Sequence, residues 1–255
     1  MKRWLVGGGI VAVVVVACVV AVAVSTGAGG RAGEPVAGGA AVTLSPTPSP
    51  TPSADGAGRP AGRTADRKDE ETPPVALFVG DSYTVGQRSS APEKRWSTIV
   101  ADDMGWTERN VADGGTGFVS RHPDQGRLSY VEQLRSVHPR GVDIVVIAGG
   151  QNDFPELSET PAEVFSAVAS TYEVAARRFP DAEIIAVGPS TPWDIGLEAR
   201  ALDSAVRAAA DRHGATYVSL LDPDVVRDQY VDADGTHVND EGYAAIARRV
   251  VSQIS

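Results

Sequence analysis

The stretch Val75-Ala-Leu-Phe-Val-Gly-Asp-Ser82 opens the folded part of the chain, and its apolar run stops abruptly at a glycine, an acid and a serine. A short apolar run of this kind is typical of a β-strand that is buried on both faces. The stretch Val142-Asp-Ile-Val-Val-Ile-Ala148 is likewise apolar almost throughout. Together they predict the central strands of a parallel sheet.

Segments with helical spacing alternate with strand-like runs through the rest of this region. The predicted strands are 75–79, 108–112, 142–148, 183–187 and 216–221, and the predicted helices are 96–104, 129–138, 160–176, 198–213 and 240–254. Five strands with intervening helices predict an α/β sandwich around a mostly parallel sheet. Capping-box patterns begin at Ser129 and Thr160, Pro161 suits a first helical position, and Asn239 is a candidate cap for the last helix.

Polar residues and glycines follow several of these strands. Ser82, Gly115 and Asn152 each come after a predicted strand, and His237 lies in the loop after the fifth. Ligands of parallel sheets bind beyond the carboxyl ends of the strands. The four residues are therefore expected at one edge of the sheet.

The residue types expected at that edge suit acyl chemistry. A serine hydroxyl becomes nucleophilic when a neighbouring base takes its proton, and His237 is the candidate base for Ser82. Asp234, three residues earlier, can accept a hydrogen bond from the other ring nitrogen. The backbone N–H groups of Ser82 and Gly115 and the side-chain amide of Asn152 are candidate donors to an oxyanion. The pattern indicates a serine esterase.

Four short motifs carry this chemistry in a fixed order. They are Gly80-Asp-Ser82-Tyr, Asn110-x-x-x-x-Gly115, Gly150-x-Asn152-Asp and Asp234-x-x-His237. The set resembles the SGNH (GDSL-type) hydrolase family over residues 75–255. The resemblance implies a three-layer, flavodoxin-like α/β/α sandwich with a five-stranded parallel sheet, ester hydrolysis, and no metal or cofactor. Tyr83 departs from the family pattern, which often has Leu or Ile at that position, and this change could alter the pocket.

Purely structural interpretations of the same residues also exist. Asp81 and Ser82 could form an ordinary helix cap after a strand. Asn152 and Asp153 could form a turn, and Asp153 is expected to support that loop rather than take part in the chemistry. Residues 232–241 approximate a calcium-binding loop, but Tyr230 would occupy its first ligand position and cannot serve there.

Charge and cysteine content exclude several classes of function. Residues 75–255 contain 16 Lys/Arg and 27 Asp/Glu, a net charge of −11. Proteins that bind nucleic acid rely on clustered Lys and Arg, so no nucleic-acid partner is expected. Cys18 is the only cysteine and precedes this region, which excludes a disulfide framework or a cysteine-based zinc site within it.

Residues 1–24 are predicted to be a transmembrane anchor or a signal sequence. Lys2 and Arg3 precede residues 4–24, a run of 21 residues without charge, and about 20 apolar residues span a bilayer. Positive charge at the short N-terminal side favours keeping that end in the cytoplasm. The main prediction is an extracytoplasmic domain anchored by a single span. The alternatives are secretion after cleavage near Ala21-Val-Ala23 and a lipoprotein modified at Cys18.

Residues 25–74 are predicted to be a disordered linker. They are rich in Pro, Thr, Ser, Gly and Ala and include Ser45-Pro-Thr-Pro-Ser-Pro-Thr-Pro-Ser53. Such a segment buries too little apolar surface to offset the entropy of ordering it. The domain organisation is therefore a leader (1–24), a linker (25–74) and an SGNH hydrolase domain (75–255).

The function predicted from these observations is hydrolysis of acyl esters by a Ser-His-Asp triad outside the cytoplasm. Short-chain or O-acetyl esters are favoured, because residues 75–255 lack a large insertion that could form a lipase lid. A cell-wall glycan or a lipid is the expected partner at such a location. One alternative is an acyltransferase that moves an acyl group to a glycan hydroxyl, and another is a non-catalytic binding module.

Overall fold

The computed structural model describes residues 72–255. The predicted leader and all but the last three residues of the predicted linker lie outside the described residues, so both stay predictions. Within residues 72–255, none of the helices combines the length and the apolar character needed to cross a membrane.

Five strands and seven helices alternate along the described chain. They are β1 (Val75–Gly80), α1 (Ser82–Val85), α2 (Trp96–Met104), β2 (Thr107–Asn110), α3 (Tyr130–Ser136), β3 (Ile144–Ala148), α4 (Phe154–Glu159), α5 (Pro161–Arg178), β4 (Glu183–Val187), α6 (Leu197–His213), β5 (Thr216–Val218) and α7 (Asp240–Ile254). The strands form one parallel sheet in the order β2-β1-β3-β4-β5. This arrangement confirms the predicted α/β sandwich with a five-stranded sheet.

Both faces of the sheet are covered, which makes three layers. Alternate residues of a strand point to opposite faces, so Leu77 and Val79 of β1 pack with α3, α5 and α6. Ala76 and Phe78 of the same strand pack with α2 and α7 on the other face. Burial on both faces explains why the central strands are apolar at every position.

Several details differ from the sequence prediction. Strand β5 ends at Val218 rather than at residue 221, because the Ser219 hydroxyl accepts the N–H groups of Leu221 and Asp222 and turns the chain. The short helices α1 and α4 were not predicted from the sequence. All five strands are parallel, so their carboxyl ends still share one edge.

The two predicted capping boxes have different outcomes. The Glu132 carboxylate accepts both the backbone N–H and the hydroxyl of Ser129, as the pattern predicted. The box predicted at Thr160 is wrong: its hydroxyl donates to the Glu156 carbonyl at 3.2 Å. Thr160 ends α4 at the same point where α5 begins, so its side chain serves the preceding helix.

Candidate active site

Ser82 is the first residue of α1, directly after the turn that ends β1. The side chain of Asp81 caps this helix by accepting the Tyr83 N–H at 2.9 Å, and Ser82 itself is buried. The N–H groups of a first helical turn have no partner within the helix. The cap predicted for Asp81 and the nucleophile predicted for Ser82 therefore coexist in one turn.

Asp81 is fully buried and is held from two further directions. Its second oxygen accepts the Tyr130 hydroxyl at 2.8 Å and the Gly150 N–H at 3.3 Å. Burial raises the pKa of this carboxyl above its ordinary value, although its hydrogen bonds oppose that shift. These contacts fix the serine turn against α3 and against the glycine-rich turn that follows β3.

Gln133, which was not predicted as a site residue, binds the same end of β1. Its side-chain oxygen accepts the Gly80 N–H and its amide nitrogen donates to the Gly80 carbonyl, both at 3.0 Å. The same nitrogen lies 3.2 Å from the Thr116 hydroxyl. A glutamine on the apolar face of α3, between Tyr130 and Leu134, was the signal that could have identified it.

Gly114 and Gly115 form a loop beside the serine. A methyl group added at Gly114 would lie 3.8 Å from Ser82 Cβ. Arg127 donates to the Gly114 carbonyl at 2.9 Å, and His122 Nε2 lies 3.1 Å from the Gly115 carbonyl. In a trans peptide the carbonyl and the following N–H point in opposite directions. The Gly115 N–H therefore points away from Arg127.

Asn152 follows β3 in a single 3₁₀ turn, Gln151–Asp153. Its amide nitrogen donates to the Thr116 carbonyl at 2.8 Å, so one of its two N–H groups holds the glycine loop. The second N–H can serve a substrate, because an amide nitrogen carries two donors.

Asp153 supports this turn, as the sequence predicted. Its buried carboxylate accepts the backbone N–H groups of Phe118, Val119 and Ser120 at 2.7, 3.1 and 2.9 Å. A methyl group at Gly117 would lie 2.3 Å from one of its oxygens, so only glycine fits there. Asp153 thus binds the glycine loop to the turn that carries Asn152.

His237 and Asp234 form a close pair in the loop before α7. His237 Nδ1 lies 2.8 Å from Asp234 Oδ2. The other carboxylate oxygen accepts the backbone N–H groups of His237 and Thr236. Hydrogen bonds from the His237 backbone, the His237 ring and Arg88 hold the pKa of Asp234 well below its ordinary value. A charged carboxylate on Nδ1 leaves Nε2 as the ring nitrogen that can accept a proton.

Tyr83, the residue that departs from the family pattern, connects the two halves of the site. Its hydroxyl donates to the Thr236 carbonyl at 2.8 Å, and its ring centroid lies 6.0 Å from that of His237. His237 makes its hydrogen bonds to Asp234 rather than to Ser82. In free enzymes the hydrogen bond between the base and the nucleophile is often long, and it shortens when substrate binds. The predicted site residues thus share the carboxyl edge of the sheet.

A cleft opens beside Asn152, and its volume is about 480 Å³. Its lining residues come from the turn after β3, from α4, from the loop after β4 and from the start of α6; they are Gln151, Asn152, Phe154, Pro155, Ser158, Thr191, Trp193, Asp194, Gly196, Glu198 and Ala199. Trp193 leaves 54% of its surface exposed there. Within residues 72–255, no group of three His, Cys, Asp or Glu side chains is placed to hold a metal ion.

Comparisons with known proteins show which family and which folds this chain is similar to. The model of the GDSL-like Lipase/Acylhydrolase family matches residues 78–245. The GDSL lipase Rv0518 of Mycobacterium tuberculosis is 28% identical over 193 residues, which cover 71% of this chain and 81% of that protein. The solved structure of TesA is similar with a TM-score of 0.58 and 20% identity, covering 71% of this chain and 98% of that one. A family two carbohydrate esterase from Cellvibrio japonicus is similar with a TM-score of 0.55 and 16% identity, covering 71% of this chain and 60% of that one.

Proposed function

The chain belongs to the GDSL-like lipase/acylhydrolase family and is a serine ester hydrolase, and on that premise we propose that Ser82, His237 and Asp234 are its catalytic triad. The observation that carries this proposal is the 2.8 Å pair between His237 Nδ1 and Asp234 Oδ2. It sits on a loop that Tyr83, the neighbour of Ser82, holds by a hydrogen bond.

In the proposed reaction, Ser82 Oγ attacks the acyl carbon while His237 Nε2 takes the hydroxyl proton. The Ser82 N–H, the Gly115 N–H and the Asn152 side chain donate to the oxyanion, and such donors are worth roughly 3–4 kcal/mol each. The alcohol leaves with the proton from His237 and an acyl-serine remains. Water, deprotonated by His237, then attacks the acyl-serine, which releases the acid and restores Ser82.

We further propose that the substrate is a short acyl ester of a sugar. Residues 75–255 lack a large insertion that could form a lipase lid, which favours a short acyl group. In the open cleft beside Asn152, the exposed Trp193 ring can lie against a sugar face. Carboxylates such as Asp194 and Glu198 accept hydrogen bonds from hydroxyl groups. An O-acetyl glycan outside the cytoplasm fits these features, given the apolar leader at residues 4–24.

An acyltransferase is the second candidate, and the cleft is the observation that favours it. A volume of about 480 Å³ open to solvent can admit a sugar acceptor in place of water. Both reactions share the acyl-serine step, so the same triad serves either. Analysis of products in the presence of an acceptor sugar separates them, because only a transferase yields the newly acylated sugar.

The direct test is hydrolysis of p-nitrophenyl acetate, butyrate and octanoate by the full-length protein and by its Ser82→Ala variant. We expect kcat/KM to fall by at least ~10³-fold in the variant, as loss of a nucleophile does in related mechanisms, with acetate preferred over octanoate. Ser252→Ala changes an exposed serine on α7 and should leave turnover unchanged. Equal turnover in Ser82→Ala would contradict the triad, and a preference for octanoate would contradict the short acyl group.

A further inference from the structure

Residues 86–90 follow the nucleophile helix α1 and lie against the first turn of α7. The Tyr243 hydroxyl donates to the Gln87 carbonyl at 2.5 Å. Ser90 donates to the Asp240 carboxylate from its backbone N–H at 2.8 Å and from its hydroxyl at 2.5 Å. This segment therefore joins the two regions that contribute the proposed nucleophile and the proposed base.

Arg88, at the centre of this segment, has an unusual backbone conformation. Its φ is 74°, and within residues 72–255 it is the only residue other than glycine with a positive φ. A side chain disfavours this left-handed region. Such conformations persist where surrounding contacts fix them, and they cluster at functional sites.

The half-exposed side chain of Arg88 contacts the proposed triad. Arg88 Nε donates to Asp234 Oδ2 at 2.8 Å. The same oxygen lies 2.8 Å from His237 Nδ1. The guanidinium and the imidazole therefore share one carboxylate oxygen. Both hold the orientation of that carboxylate, together with the two backbone N–H groups on its other oxygen.

We propose that Arg88 is a positioning residue of this esterase, which holds Asp234 in place and sets the pH at which His237 can act as a base. The proposal rests on the proposed function, because it assigns a role to Arg88 within the same triad. Arg88 acts through Asp234, and no contact of Arg88 with the substrate is required.

The sign of the pH effect follows from the charges around His237. Asp234 and Asp232 come from its own loop, and Arg88 comes from the segment after α1. The buried Asp81 accepts the backbone N–H of Tyr83, whose ring lies beside the His237 ring. Burial raises the pKa of Tyr83 and Tyr243 further above their ordinary values, so both stay neutral in the working range. Removing the Arg88 cation leaves the site with more net negative charge. The protonated ring of His237 then becomes more favourable relative to the neutral ring. His237 then loses its role as a base at a higher pH.

The kinetic test compares full-length wild type with Arg88→Met, Arg88→Lys and Arg88→Gly on p-nitrophenyl acetate from pH 5 to 9. In Arg88→Met we expect kcat to fall about fivefold with KM within about twofold, and the acidic limb of the profile to move up by about half a pH unit. Arg88→Lys should keep most of the kcat that Arg88→Met loses. The control is Arg177→Met, which removes an exposed ion pair with Glu173 on α5. Its kcat, KM and pH profile should match those of wild type.

Arg88→Gly separates positioning from stability, because glycine adopts the left-handed backbone without strain. We expect its Tm to equal or exceed that of wild type while its kcat falls as in Arg88→Met. Kinetics of Arg88→Met and Arg88→Gly that match wild type across the pH range would overturn the proposal.

A second readout does not depend on turnover. The ring signals of His237 are followed by NMR across the same pH range in wild type and Arg88→Met, and are assigned with a His237→Gln variant. An upward shift of the titration midpoint in Arg88→Met supports the proposal even if no ester tested is hydrolysed. An unchanged midpoint overturns it even if wild type is an active esterase. Failure of the proposed function is thus distinguishable from failure of this inference.

Discussion

Asp234 makes more hydrogen bonds than its motif predicts. The spacing Asp234-x-x-His237 predicted one contact, from the carboxylate to the histidine ring. In the structure the carboxylate also accepts two backbone N–H groups of its own loop and the Arg88 guanidinium. These donors favour the ionised form, so the residue that orients His237 also contributes to stability in a manner that depends on pH.

The pH dependence of Asp234 can be measured by thermal unfolding. Its folded pKa is lowered by the His237 backbone N–H, the His237 ring and Arg88, whereas an unfolded aspartate titrates near ~3.9. The stabilisation is therefore present above that pH and is lost as the pH falls toward the folded pKa. The Tm difference between wild type and Asp234→Asn should be present at pH 5 and should narrow below about pH 4.

An exposed aspartate provides the control for this measurement. Asp181 lies on the surface after α5. The Tm of Asp181→Asn should differ little from that of wild type across the whole pH range. A Tm difference for Asp234→Asn that stays constant down to pH 2 would contradict the assignment.

The turns after the strands, rather than the strands themselves, give the site its shape. The Asn152 amide joins the turn Gln151–Asp153 to the glycine loop at residues 114–117, and the Asp153 carboxylate joins the same turn to residues 118–120, which follow the loop. Three glycines in this region have no alternative: Gly117 faces Asp153, Gly149 faces Asp81, and Gly150 faces Leu202, each within 2.7 Å of an added methyl group. The close packing of these turns explains the glycine-rich sequence around the motifs.

Removal of the Asp153 carboxylate should destabilise this pair of turns. Asp153→Ala leaves one buried and two partly buried backbone N–H groups without their acceptor, and a buried group left unpaired costs ~1–3 kcal/mol. We expect the free energy of unfolding to fall by about 3 kcal/mol or more, measured by denaturant titration. The activity of the folded fraction should also fall, because Asn152 loses its support.

The matching control for Asp153 is again a surface carboxylate. Asp181→Ala removes an exposed side chain and should change the free energy of unfolding by less than ~0.5 kcal/mol. A similarly small change for Asp153→Ala would show that the two turns are held by other contacts.

At the scale of the whole molecule, the point where the chain enters the sheet and the candidate site lie at opposite edges of the parallel sheet. The chain enters the sheet at Val75, where its backbone N–H donates to the Asp143 carboxylate at 2.8 Å. The candidate site lies at the opposite, carboxyl edge of the strands. The chain therefore enters this domain at the edge of the sheet away from the cleft.

Cell fractionation tests the proposed anchor at residues 4–24. The full-length protein should be found in the membrane fraction and should be degraded by protease added to intact cells, while a form with a cleavable signal in place of residues 1–24 should be released. Metabolic labelling with a fatty acid tests the lipoprotein alternative, with Cys18→Ser as its control. Recovery of the full-length protein in the cytosol would contradict the extracytoplasmic location.

The sequence alone was sufficient for the fold class and for the family. The apolar run of β1 and the nearly continuous run of β3 are local patterns, and burial on both faces dictates them. The four motifs are also local, because each spans no more than six residues of the chain. Strand ends and helix caps were less certain: Ser129 behaved as predicted, while Thr160 did not, since its partner belongs to a helix that the sequence analysis had missed.

Only the tertiary structure decided which residues support the motifs. Gln133 and Gly80 are 53 positions apart, Tyr130 and Asp81 are 49 apart, and Arg88 and Asp234 are 146 apart. A sequence pattern reports the neighbours of a residue along one helix or strand, whereas these contacts arise when separate elements pack against one sheet. The local patterns therefore identified the candidate catalytic residues, and the packing of the sheet decided what holds them in place.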